Sequence, residues 1–259
     1  MHATLLSLGA LALIGLASTA PAQADPAAID WQPLAGFESA RTETTVGQFR
    51  RFVQATGTVT RAERQGGGEV YEAGWVRQPG WTWATPFGAG GRAADDEPAV
   101  HVSFDEAQAF CRWAGGRLPS DAEWTAAAYL EQRAAPPAPF ERGRRYPYPS
   151  GDRPDGAQCL GDCGEAVDRR AVAQGARLWR GTGHALAGAT PAGVNGLHDM
   201  GGNAWEWVDE PPDAGGDAER RTRGGSWWYG AAQMREQHLQ GKPAQTAVVY
   251  IGFRCARGG

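Results

Sequence analysis

Apolar positions recur at helical spacing in three stretches of the chain, and the period is lost beyond residue 135. In TTVGQFRRFVQATG, Phe49, Phe52 and Val53 fall on one face, Thr45 and Gln48 have the spacing of a capping box, and Gly57 supplies a stop. SFDEAQAFCRWAGG repeats the device with Ser103 and Glu106, an apolar face of Ala107, Phe110, Cys111 and Ala114, and an end at Gly115 and Gly116. SDAEWTAAAYL does so a third time with Ser120 and Glu123. The pattern predicts three amphipathic helices of about three turns each, the last two joined by a GGRLP turn that Pro119 helps set.

After these, Pro- and Gly-rich loops separate short strand-like pieces such as NAWEWV and AVVYIGFRCA. Alternation in NAWEWV places Trp205 and Trp207 on one face and Ala204, Glu206 and Val208 on the other. The stretch 131–145 reads as a surface loop rather than a domain boundary, since nothing after it looks self-sufficient. With 37 Gly, 17 Pro and 11 Trp, the chain is expected to be rich in loops and pinned by aromatic side chains.

The chain opens MHATLLSLGALALIGLASTAPAQA, an apolar run closed by small residues and an A-x-A triplet, Ala22 to Ala24. That is the pattern of a secretory signal, residues 1–24, leaving a single domain over 25–259 in the periplasm or outside the cell. The apolar run is too short for a membrane span, which needs about 20 residues. A net charge of −4 without long charge runs argues against a nucleic-acid partner and leaves a small-molecule or peptide substrate.

Four cysteines in an exported chain point to two disulfides, with three connectivities open. Cys159 and Cys163 lie four apart in a Gly/Asp loop where a local bridge is feasible, which leaves Cys111 to meet Cys255. A zinc site is the competing use of the thiols, but the chain has no CxxC or HxxxH.

Six blocks in order, from ETTVGQFRRFVQATG through PAVHVSFDEAQAFCRWAGGRLPSDAEWTAAA, YPSGD, NGLHDMGGNAWEWVDE and RTRGGSWW to YIGFRCAR, resemble the formylglycine-generating enzyme (sulfatase-modifying factor) family. The resemblance runs from about residue 30 to the C-terminus. It implies an α+β, C-type-lectin-related fold with little regular structure, and a Cys111–Cys255 disulfide. It also implies a calcium ion against MGGNAWEW, held by the carbonyls of Asp199, Gly202 and Ala204 and the carboxylate of Glu206. Gly201 and Gly202 would free the backbone to wrap such an ion. The alternative is a core strand in which Glu206 pairs with an arginine such as Arg223.

The family generates formylglycine with two copper-binding cysteines shortly after its G-G-S block. Here no cysteine occurs between Ser226 and Cys255, and Tyr229 and Met234 are no substitute for two thiolates, so no copper is expected. Trp228, Tyr229, Arg235, Glu236 and His238 remain as candidate site residues, with His238 a possible acid or base and Glu236 its orienting partner. Trp227 is expected to pack, and His101, His184 and His198 to be structural. The resemblance thus implies an exported modifying enzyme, oxidative or maturation-type, that does not generate formylglycine through copper. A non-catalytic ligand- or protein-binding module on the same fold is the alternative.

Overall fold

The computed structural model describes residues 25–88, 90–164, 178, 180–210 and 219–259. The expected signal, residues 1–24, lies outside them. Four α-helices, nine short strands and two 3-10 turns make up the regular structure of the described residues, which is mixed α+β with long irregular connections. None of these helices is long and apolar enough to cross a membrane.

The three helices read from the sequence form as α1 (Val46–Thr56), α3 (Phe104–Trp113) and α4 (Asp121–Tyr129), each with the reciprocal capping box expected of its first turn. Gly57 ends α1 in a left-handed conformation. The four-residue helix α2 (Arg61–Arg64) was not anticipated, although Thr60 and Glu63 form the same box. Phe49 and Phe52 of α1 meet Phe110 of α3 at ring-centroid distances of 5.8 and 5.7 Å, and Phe253 joins them at 5.3 Å from Phe110. These offset and edge-on contacts form one end of the main core.

Strand β1 (Trp31–Pro33) pairs with β2 (Glu38–Ala40), which pairs in turn with the C-terminal β9 (Ala256–Arg257), and β3 (Glu69–Tyr71) and β4 (Trp75–Arg77) form a hairpin. The central sheet has the order β7 (Gln240–Pro243), β6 (Glu219–Arg223), β5 (Trp205–Val208) and β8 (Ile251–Gly252). Strand β5 is antiparallel to β6 and parallel to β8. Both of its faces are buried, and the alternation read from the sequence divides two cores. Trp205 and Trp207 enter the main core with Phe104 and Tyr250, whereas Val208 lies in a smaller one with Trp124, Tyr129 and Met200.

Candidate functional site

Beyond β6 the chain turns through Gly224 and Gly225 and sends Trp227 and Trp228 of RGGSWWYG into the main core. Trp227 donates its backbone N–H to the Asn203 carbonyl at 3.0 Å, which ties this turn to the segment before β5. Trp228 is fully buried, stacked on Tyr250 with centroids 5.5 Å apart and set edge-on to Trp227 at 5.1 Å. Tyr229 is only partly buried and meets both Trp205 and Tyr250 edge-on at 5.8 Å. The His238 ring lies 5.7 Å from that of Trp205. The Arg180 guanidinium sits 5.1 Å from the Trp228 ring centre and 5.3 Å from that of Tyr229, within cation–π reach of both.

Trp228, Tyr229 and His238 are therefore brought together around Trp205 and Tyr250, but Arg235 and Glu236 are not. Arg235 is exposed over Tyr148, and the Glu236 carboxylate accepts from Arg145 at 2.8 Å. The expectation that Glu236 orients His238 is thereby corrected: its charge is spent on a different neighbour. The 236–238 turn is positioned instead by Arg223, which donates to the carbonyls of Glu236 at 2.6 Å and His238 at 3.2 Å. Its remaining nitrogens bind Asp121 at 2.6 and 2.7 Å. Burial, reinforced by the Arg223 charge, holds the His238 imidazole below its ordinary pKa, so the ring is neutral at neutral pH. Its Nε2 is buried without a hydrogen-bond partner among the described residues. Burial likewise raises the pKa of the Tyr250 phenol, with Tyr229 adding to the shift.

Tyr250 and Arg180 were not singled out in the sequence. Tyr250 is hidden in the apolar run AVVYIGF, where it reads as core, and Arg180 stands in a loop with no pattern to mark it.

The expected calcium segment is organised by protein groups. Both Glu206 oxygens face Arg254, at 2.6 and 2.7 Å, and one of them also accepts from Trp124 Nε1 at 2.7 Å. Asp199 accepts from the Gly188 N–H and the Thr190 hydroxyl, both at 2.5 Å. Glu43 lies nearby, accepting from Asn203 Nδ2 at 2.6 Å and the Ala204 N–H at 2.9 Å. Burial raises its pKa well above the ordinary range, and the charges of Asp199 and Glu206 push the same way. Glu206 is thus the ion-pair partner of Arg254. Of the calcium ligands expected from Asp199, Gly202, Ala204 and Glu206, the Glu206 carboxylate is the one side chain, and its oxygens are engaged by Arg254 and Trp124; Arg223 pairs with Asp121 and not with Glu206.

All four cysteines are paired, Cys111 with Cys255 and Cys159 with Cys163, as expected. Among the described residues, the histidines outside the cluster are bonded within the fold. His101 Nε2 lies 3.0 Å from the Pro86 carbonyl, His184 Nε2 lies 2.9 Å from Glu97, and His198 Nδ1 lies 2.8 Å from the Thr190 carbonyl.

The model of the sulfatase-modifying factor enzyme 1-like domain matches residues 12–258. A formylglycine-generating enzyme from Thermomonospora curvata is 30% identical, over 81% of this chain and 78% of its own. A hercynine oxygenase from Mycolicibacterium thermoresistibile is 29% identical, over 85% of this chain and 50% of its own. Among solved structures, PvdO from Pseudomonas aeruginosa superposes with a TM-score of 0.55 at 20% identity, covering 86% of this chain and 80% of its own, a likeness of fold. The chain belongs to the sulfatase-modifying factor enzyme 1-like family, whose members include oxidative modifying enzymes.

Proposed function

We propose that this chain is an exported member of the family that modifies a small-molecule or peptide substrate, by an oxidative or maturation-type reaction, without the copper–thiolate pair of formylglycine generation. The observation that carries this reading is the state of the cysteines: every thiol is consumed by a disulfide, and the loop after Ser226 offers Tyr229 and Met234 instead. A phenol and a thioether lack the anionic soft donors that capture Cu(I) and exchange with a substrate thiol.

The groups on hand suit recognition and proton transfer. Arg180 caps the Trp228 and Tyr229 rings and fixes that wall of the cluster. The Tyr229 hydroxyl is a donor at the accessible edge of the cluster. His238, kept neutral by burial, has a nitrogen free to take a proton.

The test is to give the purified, disulfide-bonded protein Cu(I) and a peptide carrying the sulfatase recognition cysteine. No aldehyde should form, and any formylglycine defeats the reading. A binding role without catalysis is the second reading. It is favoured by the β3–β4 hairpin, where Tyr71 and Trp75 are 40% and 47% exposed and the Lys242 ammonium lies 5.4 Å from the Trp75 ring centre. A ligand that binds with unchanged affinity to Tyr229→Phe but is lost with Trp75→Ala would select that second reading.

A further inference from the structure

The loop holding Cys159 and Cys163 is fastened directly to the segment that follows Tyr229. The Leu160 N–H donates to the Tyr229 carbonyl at 2.9 Å, and the Ala231 N–H donates to Asp162 Oδ1 at 2.7 Å. The same fastening brings a third sulfur to the disulfide, because Met234 Sδ lies 3.6 Å from Cys163 Sγ. Met234 is fully buried, and two glycines shape its berth. A Cβ at Gly201 would come within 2.6 Å of its terminal methyl, and one at Gly225, whose φ is 79°, within 3.2 Å of its Cγ. The thioether is therefore held in place before any ligand arrives. Gly161 and Asp162, between the two cysteines, are exposed, and Cys159 itself is 9% exposed, so the disulfide lies close to solvent.

We propose that opening the Cys159–Cys163 disulfide converts this cluster into a three-sulfur site, Cys159, Cys163 and Met234, for a soft monovalent cation of the Cu(I) type. A dithiol reductant supplies two electrons and two protons to the S–S bond and leaves as its own disulfide. The two thiols release those protons as the cation binds, giving two thiolates and one thioether around it. Cys159, Asp162 and Cys163 present ligand atoms within 4.8 Å of one another, the one such group of His, Cys, Asp and Glu among the described residues. Asp162 also admits a zinc reading, but its Oδ1 is engaged by the Ala231 N–H, whereas the third sulfur is in place. Two thiolates with a thioether favour a soft ion over a hard divalent one, and the thioether in place of a carboxylate or imidazole suits Cu(I). The site is separate from the function proposed above, which concerns the disulfide-bonded protein.

The experiment reduces the full mature chain with a phosphine under conditions where alkylation and mass mapping follow each bridge. It then measures Cu(I) by competition with a chromogenic chelator. Cys159–Cys163 should open before the fully buried Cys111–Cys255, with the circular-dichroism spectrum retained. The opened protein should take up one equivalent of Cu(I), and the oxidised protein none. Met234→Leu, which conserves volume, should keep the melting temperature within a few degrees and weaken binding about tenfold or more. X-ray absorption should place three sulfurs around the metal. Opening of Cys111–Cys255 first, loss of fold on reduction, equal uptake before and after reduction, unchanged affinity in Met234→Leu, or tighter binding of zinc would each overturn the proposal.

Discussion

Glu206 and Arg254 form a bidentate pair with 1% of either side chain exposed, bridging the central strand β5 to the residues just after β8. The guanidinium also donates to the carbonyls of Ala40, Arg41 and His198, so one buried cation gathers three separate segments. Against the desolvation that burial imposes, Glu206 keeps Arg254 more firmly protonated than usual. Removing one partner of such a pair leaves a buried charge uncompensated, a loss on the order of 3–5 kcal/mol. Glu206→Gln should therefore lower the melting temperature by a similar amount in millimolar calcium and in chelator. A calcium-dependent stabilisation that vanishes in the variant would restore Glu206 as an ion ligand.

The two disulfides should differ in what they contribute. Cys111 and Cys255 are separated by 144 residues, and closing so long a loop removes about 5 kcal/mol of unfolded-state entropy on the chain-entropy model. Cys159 and Cys163, four apart, close a small loop worth about 2 kcal/mol. Denaturant unfolding of Cys111→Ser/Cys255→Ser and Cys159→Ser/Cys163→Ser should rank the first pair as the more destabilised. The reverse ranking would mean that local strain, not loop length, governs this fold.

Much of the architecture was legible because it is encoded locally. Capping boxes at Thr45, Ser103 and Ser120 mark helix starts within four residues, and the alternation of NAWEWV reports its two buried faces. Helix α2 escaped notice because its single turn carries no apolar period beside its box. The site was less legible because its pairings are long-range. Glu206 finds Arg254 rather than Arg223, and Arg223 in turn takes Asp121, 102 residues away. Glu236 sits two residues from His238 yet is drawn to Arg145 across 91 residues. Residue type and spacing alone cannot rank such partners.

Trp228 and Tyr229 are neighbours with different roles, and mutation should separate them. Trp228 is fully buried against Trp227 and Tyr250, so Trp228→Ala should cost about 3–5 kcal/mol and serve poorly as a test of function. Tyr229→Phe keeps the ring and its edge contacts with Trp205 and Tyr250, and should change stability by about 1 kcal/mol or less. Any substrate or ligand found by screening should bind or react markedly less well with Tyr229→Phe. If Tyr229→Phe is silent in both stability and ligand binding, the cluster is a packed floor.

His101 supplies a pH dependence that can be isolated. It is fully buried at φ 58°, between the Pro86 and Ala247 carbonyls, and burial pulls its pKa from 6.5 to about 4. Because the folded value lies below the unfolded one, the neutral ring's contribution is complete above the unfolded pKa. It is lost as pH falls through the folded value, at about 1.4 kcal/mol per pH unit. Glu43 and Asp199 act in the opposite sense: burial raises their folded pKa values, so their stabilisation is greatest when protonated and declines as pH rises above the ordinary carboxylate range. The parent's overall profile therefore blends the two trends, and a variant is needed to expose His101. His101→Asn places a side chain tolerant of positive φ at this position and removes the imidazole. It should lie below the parent in stability at about pH 7, with the gap narrowing by about 2–3 kcal/mol near pH 4.5 as the parent becomes burdened by its buried ring. Urea unfolding of both proteins at the two pH values measures that gap, and a gap that stays constant would show that His101 is not held neutral by burial.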